Sequence, residues 1–281
     1  MLPIQDLNPT RRFPITNIAL IAINVIVFLW EISLPPEALQ QQIEQLAVIP
    51  KQIAAAPFAL ESILDIVRAM FLHGGWDHIL GNMLYLYLFG DNIEDRFGMI
   101  PYLIIYFVCG FAATYLQVVI DPNSTIPNIG ASGAIAGVLG AYLVLFPRVT
   151  VRAIVPLGYV SSIQNVPAII VLGLWFVLQL FNGFASLGVP AEYGGGVAFF
   201  AHIGGFVAGV LIAFVLMRIW PQPSAEGCAA EFVVRTGGAT VKLQRVRVAI
   251  FALKRYQGKT VAYLQVCGLL FERRLFEVNR G

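Results

Sequence analysis

Two residues that can perform acyl transfer stand in apolar segments of this chain. Ser132 follows Gly130 and Ala131 at the start of one apolar segment, and His202 lies inside another. An ionisable ring in hydrocarbon is costly, so it is expected to face the interior of a helix bundle and a polar partner. A serine hydroxyl beside such a ring becomes a nucleophile when the imidazole accepts its proton. These two residues indicate a hydrolase that works inside a membrane.

A second polar pair, His78 and Asn82, is spaced four residues apart and therefore shares one face of a helix. Both side chains can donate hydrogen bonds. Acyl transfer needs donors aimed at the oxygen that becomes negative, and the backbone N–H of Ser132 at a helix N-terminus is a further donor. We interpret His73, a few residues earlier, as a structural residue that ties its loop to the helix of His78.

Glycines follow both reactive residues at helical spacing. Gly133 and Gly137 come after Ser132, and Gly205 and Gly209 come after His202. Small residues four apart let helix backbones approach closely in lipid. We therefore expect the two helices to pack against each other through these glycines.

The composition is that of a membrane protein. The chain is 58% hydrophobic and 12% charged, whereas a soluble globular domain carries roughly 25% charged residues. A membrane-spanning helix needs about 20 residues, and four of the six apolar segments are long enough while the second and fourth are short. The fold class expected is an all-α membrane protein, a six-helix bundle. The six segments are Ile15–Leu34, His78–Gly90, Met99–Ile120, Ser132–Phe146, Val166–Phe184 and Val197–Ile219.

Three regions are predicted along the chain. Residues 1–14 form an N-terminal tail, residues 15–220 the helical core, and residues 221–281 a basic extension with ten Lys and Arg against four Asp and Glu. Alternating apolar and polar residues in the extension favour strands or loosely ordered chain. The loop 35–76 is too polar to span a membrane and apolar enough to lie in its interface.

Basic residues predict the orientation. If the spans alternate, most arginines of residues 1–220 fall on one side, and that side is expected to be cytoplasmic. Both termini would then be cytoplasmic and the reactive residues would lie near the outer face, with the plasma membrane as the expected location. The arginines concerned are Arg11, Arg12, Arg96, Arg148, Arg152 and Arg218.

The predicted site is a dyad without a carboxylate. Asp77, Asp121 and Glu192 are the acidic residues nearest in sequence to the site, and all are placed in outer loops. His202 is therefore expected to be held by packing against the glycine-lined fourth helix and by its bond to Ser132. The three cysteines lack metal-ligand spacing, and no metal, cofactor or nucleic-acid partner is expected.

These motifs resemble the signature of the rhomboid intramembrane serine proteases over residues 15–220. The pattern comprises Gly130-Ala131-Ser132-Gly133, Ala201-His202 followed by Gly205 and Gly209, and His78 with Asn82. The resemblance implies that Ser132 is the nucleophile, that His202 is the general base and acid, and that His78 and Asn82 stabilise the oxyanion. It also implies transmembrane protein substrates and the lipid bilayer as partners.

The chain departs from the family pattern at two places. Many members carry a Trp-Arg pair in the first outer loop, which residues 61–70 lack. Some members place an aromatic residue against the histidine ring four positions after the serine, where this chain has Ala136.

Two other functions fit parts of the pattern. A non-catalytic rhomboid-like bundle that escorts membrane proteins would be expected to lack Ser132 or His202, and both are present. A transporter with His202 and His78 as a proton relay would be expected to carry carboxylates in the fourth, fifth or sixth span, and these spans have none.

Overall fold

The computed structural model describes residues 1–157, 160–187 and 197–220, and beyond them the backbone of five strands between residues 232 and 270. The chain divides into two compact units, residues 1–220 and 221–281. The first unit contains nine helices and three strands in its described part. The helices are α1 Ile15–Ser33, α2 Pro36–Leu46, α3 Pro50–Ala55, α4 Leu60–Ala69, α5 Trp76–Phe97, α6 Met99–Ile120, α7 Ser132–Leu145, α8 Ala168–Ser186 and α9 Phe199–Ile219.

Four helices, α1, α6, α8 and α9, are long and apolar enough to cross a membrane. The short fourth segment becomes α7, an apolar helix of 14 residues. The second segment becomes α5, which has 22 residues and is longer than its apolar stretch. The described residues thus form a mostly helical membrane protein, and six spans stay a prediction for α5 and α7.

Helix α5 extends past its apolar stretch because its polar residues find partners. The Glu94 carboxylate accepts hydrogen bonds from the backbone N–H groups of Thr16 and Asn17, at 2.9 and 2.7 Å. These N–H groups belong to the first turn of α1 and have no acceptor within that helix. A carboxylate at a helix N-terminus also interacts favourably with the helix dipole. Glu94 therefore joins α5 to the start of α1.

The core lies between α5, α6, α7 and α9. Its largest fully buried side chains include Phe89, Tyr102, Tyr106 and Tyr142. Helix α7 is central to this core, since every residue from Gly133 to Tyr142 is buried. A helix surrounded on all sides needs no polar face, which is why its sequence is apolar throughout.

The outer loop 35–76 is helical, which the sequence did not predict. Helices α2, α3 and α4 lie there, and Ile53 and Ile66 are buried in a small cluster with Val118 of α6. Val48 pairs with Asn128 in an isolated bridge, which joins this loop to the segment before α7.

The N-terminal residues form a strand where only a tail was predicted. The strand β1 Leu2–Asp6 pairs antiparallel with β2 Thr150–Leu157, which pairs antiparallel with β3 Val160–Pro167. Pairing partners so distant in sequence cannot be identified from either segment alone. Because Val166 and Pro167 complete β3, helix α8 begins two residues later than predicted.

The second unit contains short antiparallel strands in its described backbone. Strand β4 pairs with β5, and β6 pairs with β7, which pairs with β8. The strands are β4 Phe232–Thr236, β5 Ala239–Leu243, β6 Val248–Tyr256, β7 Lys259–Val266 and β8 Leu269–Leu270.

Candidate active site

Ser132 is the first residue of α7 and follows a turn that only glycine accommodates well. Gly130 has a φ of +121°, and a Cβ atom there would lie 2.7 Å from His78 Nε2. The Gly130 N–H donates to the Ala69 carbonyl oxygen at 2.8 Å, which fixes the turn against the outer loop. The Ser132 N–H belongs to the first turn of α7 and has no acceptor within the helix.

The structure brings Ser132 and His202 into direct contact. The Ser132 Oγ atom and His202 Nε2 are 2.8 Å apart. This is the separation at which an imidazole can accept the proton of a hydroxyl nucleophile. The two residues are 70 positions apart in the chain and meet because α7 packs on α9.

Glycines make this close packing possible. A Cβ atom on Gly205 would collide with the Gly133 carbonyl group, and one on Gly209 would collide with that of Gly137. Gly137 also lies against Cys109 of α6, where an added Cβ atom would collide with the cysteine side chain. The four glycines named from the sequence thus line one seam between α7 and α9.

The second ring nitrogen of His202 contacts a residue that the sequence did not single out. His202 Nδ1 lies 2.8 Å from the Oε1 atom of Gln179 on α8. The ring of Trp175, one turn earlier on α8, lies with its centroid 5.9 Å from that of the His202 ring. The expectation that His202 is held only by α7 and Ser132 is therefore incomplete. An amide inside the fifth apolar segment was the signal that could have identified Gln179.

His78 and Asn82 lie together on the inner face of α5. Asn82 Nδ2 is buried and has no hydrogen-bond partner among the residues that the structure describes. His78 Nδ1 accepts a hydrogen bond from the Gly74 N–H at 3.3 Å. An acceptor at Nδ1 places the ring proton on Nε2, which is the nitrogen that faces Gly130. Two N–H donors are therefore directed to the region beside Ser132.

The loop that carries His73 contacts α1, which the sequence did not predict. The His73 backbone N–H lies 3.1 and 3.2 Å from the two carboxylate oxygens of Glu31, near the end of α1. Burial lowers the pKa of His73 to about 4, and the nearby His78 ring contributes to the same effect. His73 is therefore neutral at physiological pH. Its loop is tied to α1 through Glu31 and to α5 through the hydrogen bond from the Gly74 N–H to His78.

A cavity of about 640 Å³ contains the four predicted site residues. Its walls are formed by α5, α7, α8, α9 and the residues before α5, α7 and α9. Tyr85 of α5 and Trp175 of α8 both line it and lie close to each other, with ring centroids 6.5 Å apart. The lining includes His78, Asn82, Tyr85, Ser132, Trp175 and His202.

Carboxylates are not what holds the His202 ring in the described site. Its two nitrogens are occupied by Ser132 and Gln179. Asp77 lies in the first turn of α5 and not in a loop as predicted, and its exposed side chain lines the cavity. Asp121 follows the last residue of α6 in the outer segment. Glu192, the third acidic residue considered from the sequence, lies outside the described residues.

Comparisons with known proteins identify one family model and several similar proteins. The model of the rhomboid domain matches residues 61–219. The chain is similar to RHOMBOID-like protein 4 of Arabidopsis thaliana, with 35% identity over 52% of this chain and 32% of that protein. RHOMBOID-like protein 2 of the same plant is 33% identical over 72% of this chain and 56% of its own length. Rhomboid protein 1, mitochondrial, of Saccharomyces cerevisiae is 26% identical over 71% of this chain and 53% of its own length. The chain therefore spans about a third to somewhat over half of these relatives.

Proposed function

The chain belongs to the rhomboid family, and from this membership we propose that it is a serine endopeptidase that hydrolyses peptide bonds of membrane proteins within the bilayer. The observation that carries the proposal is the 2.8 Å contact between Ser132 Oγ and His202 Nε2 at the wall of a cavity. A non-catalytic rhomboid-like bundle, the alternative function considered from the sequence, would not require this contact.

Acylation begins with the serine. Ser132 Oγ attacks the carbonyl carbon of the scissile bond, and its proton passes to His202 Nε2 as the C–O bond forms. The electron pair of the carbonyl moves onto its oxygen. That oxyanion accepts hydrogen bonds from His78 Nε2, Asn82 Nδ2 and the Ser132 N–H, which are donors positioned before the reaction. The C–N bond then breaks, and His202 Nε2 gives its proton to the leaving amine.

Deacylation repeats these steps with water. A water molecule adds to the acyl ester while His202 Nε2 accepts one of its protons. The second tetrahedral intermediate collapses, the bond to Ser132 Oγ breaks, and the proton returns to that oxygen. The product is a carboxylic acid, and the serine is regenerated. Gly130, Gly133, Gly137, Gly205 and Gly209 support this chemistry by allowing the approach of the helices that carry it.

The proposal includes six membrane spans, with α5 and α7 added to the four long apolar helices. Helix α7 measures about 21 Å at 1.5 Å per residue, which is shorter than a hydrocarbon core of about 30 Å. If its far end lies at the cytoplasmic surface, Ser132 lies several ångströms below the outer one. The irregular segment before α7 is tolerable at that depth because it lines a cavity.

Arg11 and Arg96 support the proposed orientation. Arg11 pairs with Asp95, and Arg96 donates to the Trp220 carbonyl oxygen, so both lie at one end of the bundle. That end would face the cytoplasm, with the site near the outer face of the plasma membrane. The domain assignment proposed is a protease core of residues 1–220, which includes the N-terminal strand, and a basic extension of residues 221–281, with transmembrane proteins as substrates.

The decisive experiment combines active-site labelling with cleavage. Purified protein should react with a fluorophosphonate probe at Ser132, as mapped by mass spectrometry, and should cleave a transmembrane reporter in detergent or liposomes. Ser132→Ala and His202→Ala should each abolish cleavage, because the nucleophile and base act as a unit. Ser186→Ala, a serine outside the site, is the matched control and should retain activity. Turnover by purified Ser132→Ala protein would overturn the proposal.

A further inference from the structure

We propose that Gln179 positions the general base by accepting a hydrogen bond from His202 Nδ1, and that α8 thereby determines which tautomer the imidazole adopts. The inference rests on the proposed hydrolysis by Ser132 and adds a residue to it. Gln179 contacts neither Ser132 nor the cavity in which substrate would react, so its role is to act through His202.

The tautomer follows from the atoms that face each ring nitrogen. Gln179 Oε1, 2.8 Å from Nδ1, is an oxygen without a proton, so the proton of that contact belongs to Nδ1. A neutral imidazole carries one proton, which leaves a lone pair on Nε2. That lone pair faces Ser132 Oγ at 2.8 Å. Without Gln179, the proton could reside on Nε2, and the ring could not accept the serine proton.

Few other groups in the described residues could fulfil this role. Helices α7 and α8 carry no charged side chain, and Arg218 of α9 lies four turns from His202. Across the cavity, α5 presents His78 and Asp77, and His78 Nδ1 is occupied by the Gly74 N–H. The amide of Gln179 is therefore the polar group that faces Nδ1.

Helix α8 is anchored on α9 on both sides of Gln179. Phe176 stacks on Phe206 with ring centroids 4.2 Å apart. On the other side, Gly183 lies against α9, where a Cβ atom would approach Ile203 and Phe199 at 3.3 and 3.4 Å. These two contacts determine the position of Gln179 along the axis of α9, next to His202.

Trp175 and Gln179 together supply what α7 does not. Ala136 on α7 is too small to pack on the imidazole, and Trp175 contacts the ring from α8 instead. Trp175 and Gln179 are four residues apart, so they project from the same face of α8. Helix α8 therefore packs against the proposed base through Trp175 and accepts a hydrogen bond from its Nδ1–H group through Gln179.

An amide suits this position better than a carboxylate would. A buried carboxylate beside a neutral imidazole in hydrocarbon is an unpaired charge during most of the cycle. An amide oxygen orients the ring without that charge, and it stabilises the imidazolium less. The arrangement maintains the tautomer and gives a weaker base than a triad with aspartate.

The test first measures the tautomer directly, because the chain has only three histidines. Protein labelled with ¹⁵N-histidine is examined by NMR, and the His202→Ala spectrum identifies the His202 signals. We expect protonation at Nδ1 in the wild type and in Gln179→Glu, and its loss in Gln179→Leu. Asn182→Leu, the same change one turn along α8, should leave the signals unchanged. An unaltered Nδ1–H signal in Gln179→Leu would overturn the inference.

Kinetics provide the second measurement. Gln179→Leu should lower kcat about 10- to 100-fold with little change in KM, because the lost bond is made to a group that becomes charged in the transition state. Gln179→Glu should retain activity and move the acidic limb of the pH profile of kcat to higher pH, since a carboxylate stabilises the protonated imidazole. Asn182→Leu should match the wild type in both.

The outcomes separate this inference from the proposed function. If the wild type neither reacts with the fluorophosphonate nor cleaves the reporter, the proposed function fails, and the NMR spectra still decide the role of Gln179. If the wild type is active but Gln179→Leu and Gln179→Glu keep its kcat and pH profile, the inference is wrong and the proposed function stands. Should Gln179→Leu fail to fold, the pH profile of Gln179→Glu decides alone.

Discussion

At the scale of the residue, the proposed reactivity depends on which atoms face the Ser132 hydroxyl. Its oxygen contacts His202 Nε2, and the other side of that imidazole contacts Gln179. In the proposed mechanism each contact determines the protonation that the next contact requires, because an acceptor at Nδ1 leaves Nε2 free to accept. The three side chains come from three different helices, so their alignment is a property of the bundle.

Asn82 offers a test of the proposed oxyanion site. Its buried Nδ2 atom has no partner within the described part of the chain, which is expected of a donor that is satisfied only when the oxyanion forms. Asn82→Ala should lower kcat by about 10²- to 10³-fold with KM nearly unchanged. Steady-state cleavage of the transmembrane reporter measures both constants.

The exposed Asn123, changed to alanine, is the matched control and should behave as the wild type. An unchanged kcat with a raised KM in Asn82→Ala would instead assign Asn82 to substrate binding.

At the scale of the element, the approach of α7 and α9 determines whether the site exists. The four glycines of the seam allow the two helix backbones to come into contact, and a fifth, Gly140, lies against the backbone of Phe206. Helix α8 then joins α9 through Phe176 and Gly183, which brings Gln179 to the imidazole. The geometry of the proposed site is therefore expected to be sensitive to substitutions at residues that do not contact substrate.

Gly209 and Gly173 give opposite expectations for the same substitution. Gly209→Ala should destabilise the protein by about 1–3 kcal/mol, because the new Cβ atom would collide with the Gly137 carbonyl oxygen. Gly173→Ala should stabilise α8 by up to about 1 kcal/mol, because nothing lies within 4 Å and alanine favours a helix. Thermal unfolding in detergent measures both.

Gly209→Ala should also lose reporter cleavage, since displacement of α9 moves His202 away from Ser132. A stable and fully active Gly209→Ala protein would contradict the role assigned to the α7–α9 seam.

At the scale of the whole molecule, the N-terminal strand joins the far ends of two helices that carry the site. The Asp6 carboxylate of β1 accepts hydrogen bonds from Tyr142 of α7 at 2.9 Å and from Asn92 of α5 at 2.8 Å. Strand β1 also pairs with β2, which precedes α8 by way of β3. The strand therefore connects α5, α7 and the hairpin between α7 and α8 at the end of the bundle opposite Ser132.

Asp6 should make stability depend on pH. Burial raises the pKa of Asp6 to about 7, with the Asp91 carboxylate adding to this effect against the hydrogen bond from Tyr142. A carboxyl group with a raised pKa in the folded state contributes stability at low pH that is lost as pH rises through about 7. Asp6→Asn should remove this loss, so its unfolding temperature should exceed that of the wild type more at pH 8 than at pH 5.

Thermal unfolding of both proteins across this range supplies the measurement. The exposed Glu37, changed to glutamine, is the control and should show a difference from the wild type that does not vary with pH in this way. An Asp6→Asn difference that is constant from pH 5 to pH 8 would show that Asp6 ionises as an exposed carboxyl group does.

The sequence by itself determined the features that depend on local composition and spacing. Apolar runs predicted the long helices α1, α6, α8 and α9 within a few residues, because a helix in lipid must be apolar along its length. Ser132, His202, His78 and Asn82 stood out because polar groups in such runs need a reason to be there. The glycine spacing after Ser132 and His202 indicated close packing for the same local reason.

Only the tertiary structure decided which distant groups meet. Gln179 lies 23 residues from His202, and Asp6 lies 136 residues from Tyr142. Glu31 holds the His73 loop from 42 residues away. The sequence around each of these polar residues does not identify its partner. Helix packing and strand pairing determine that partner. A hydrogen bond between separate elements depends on their relative position in three dimensions, and the residues of one element do not determine that position.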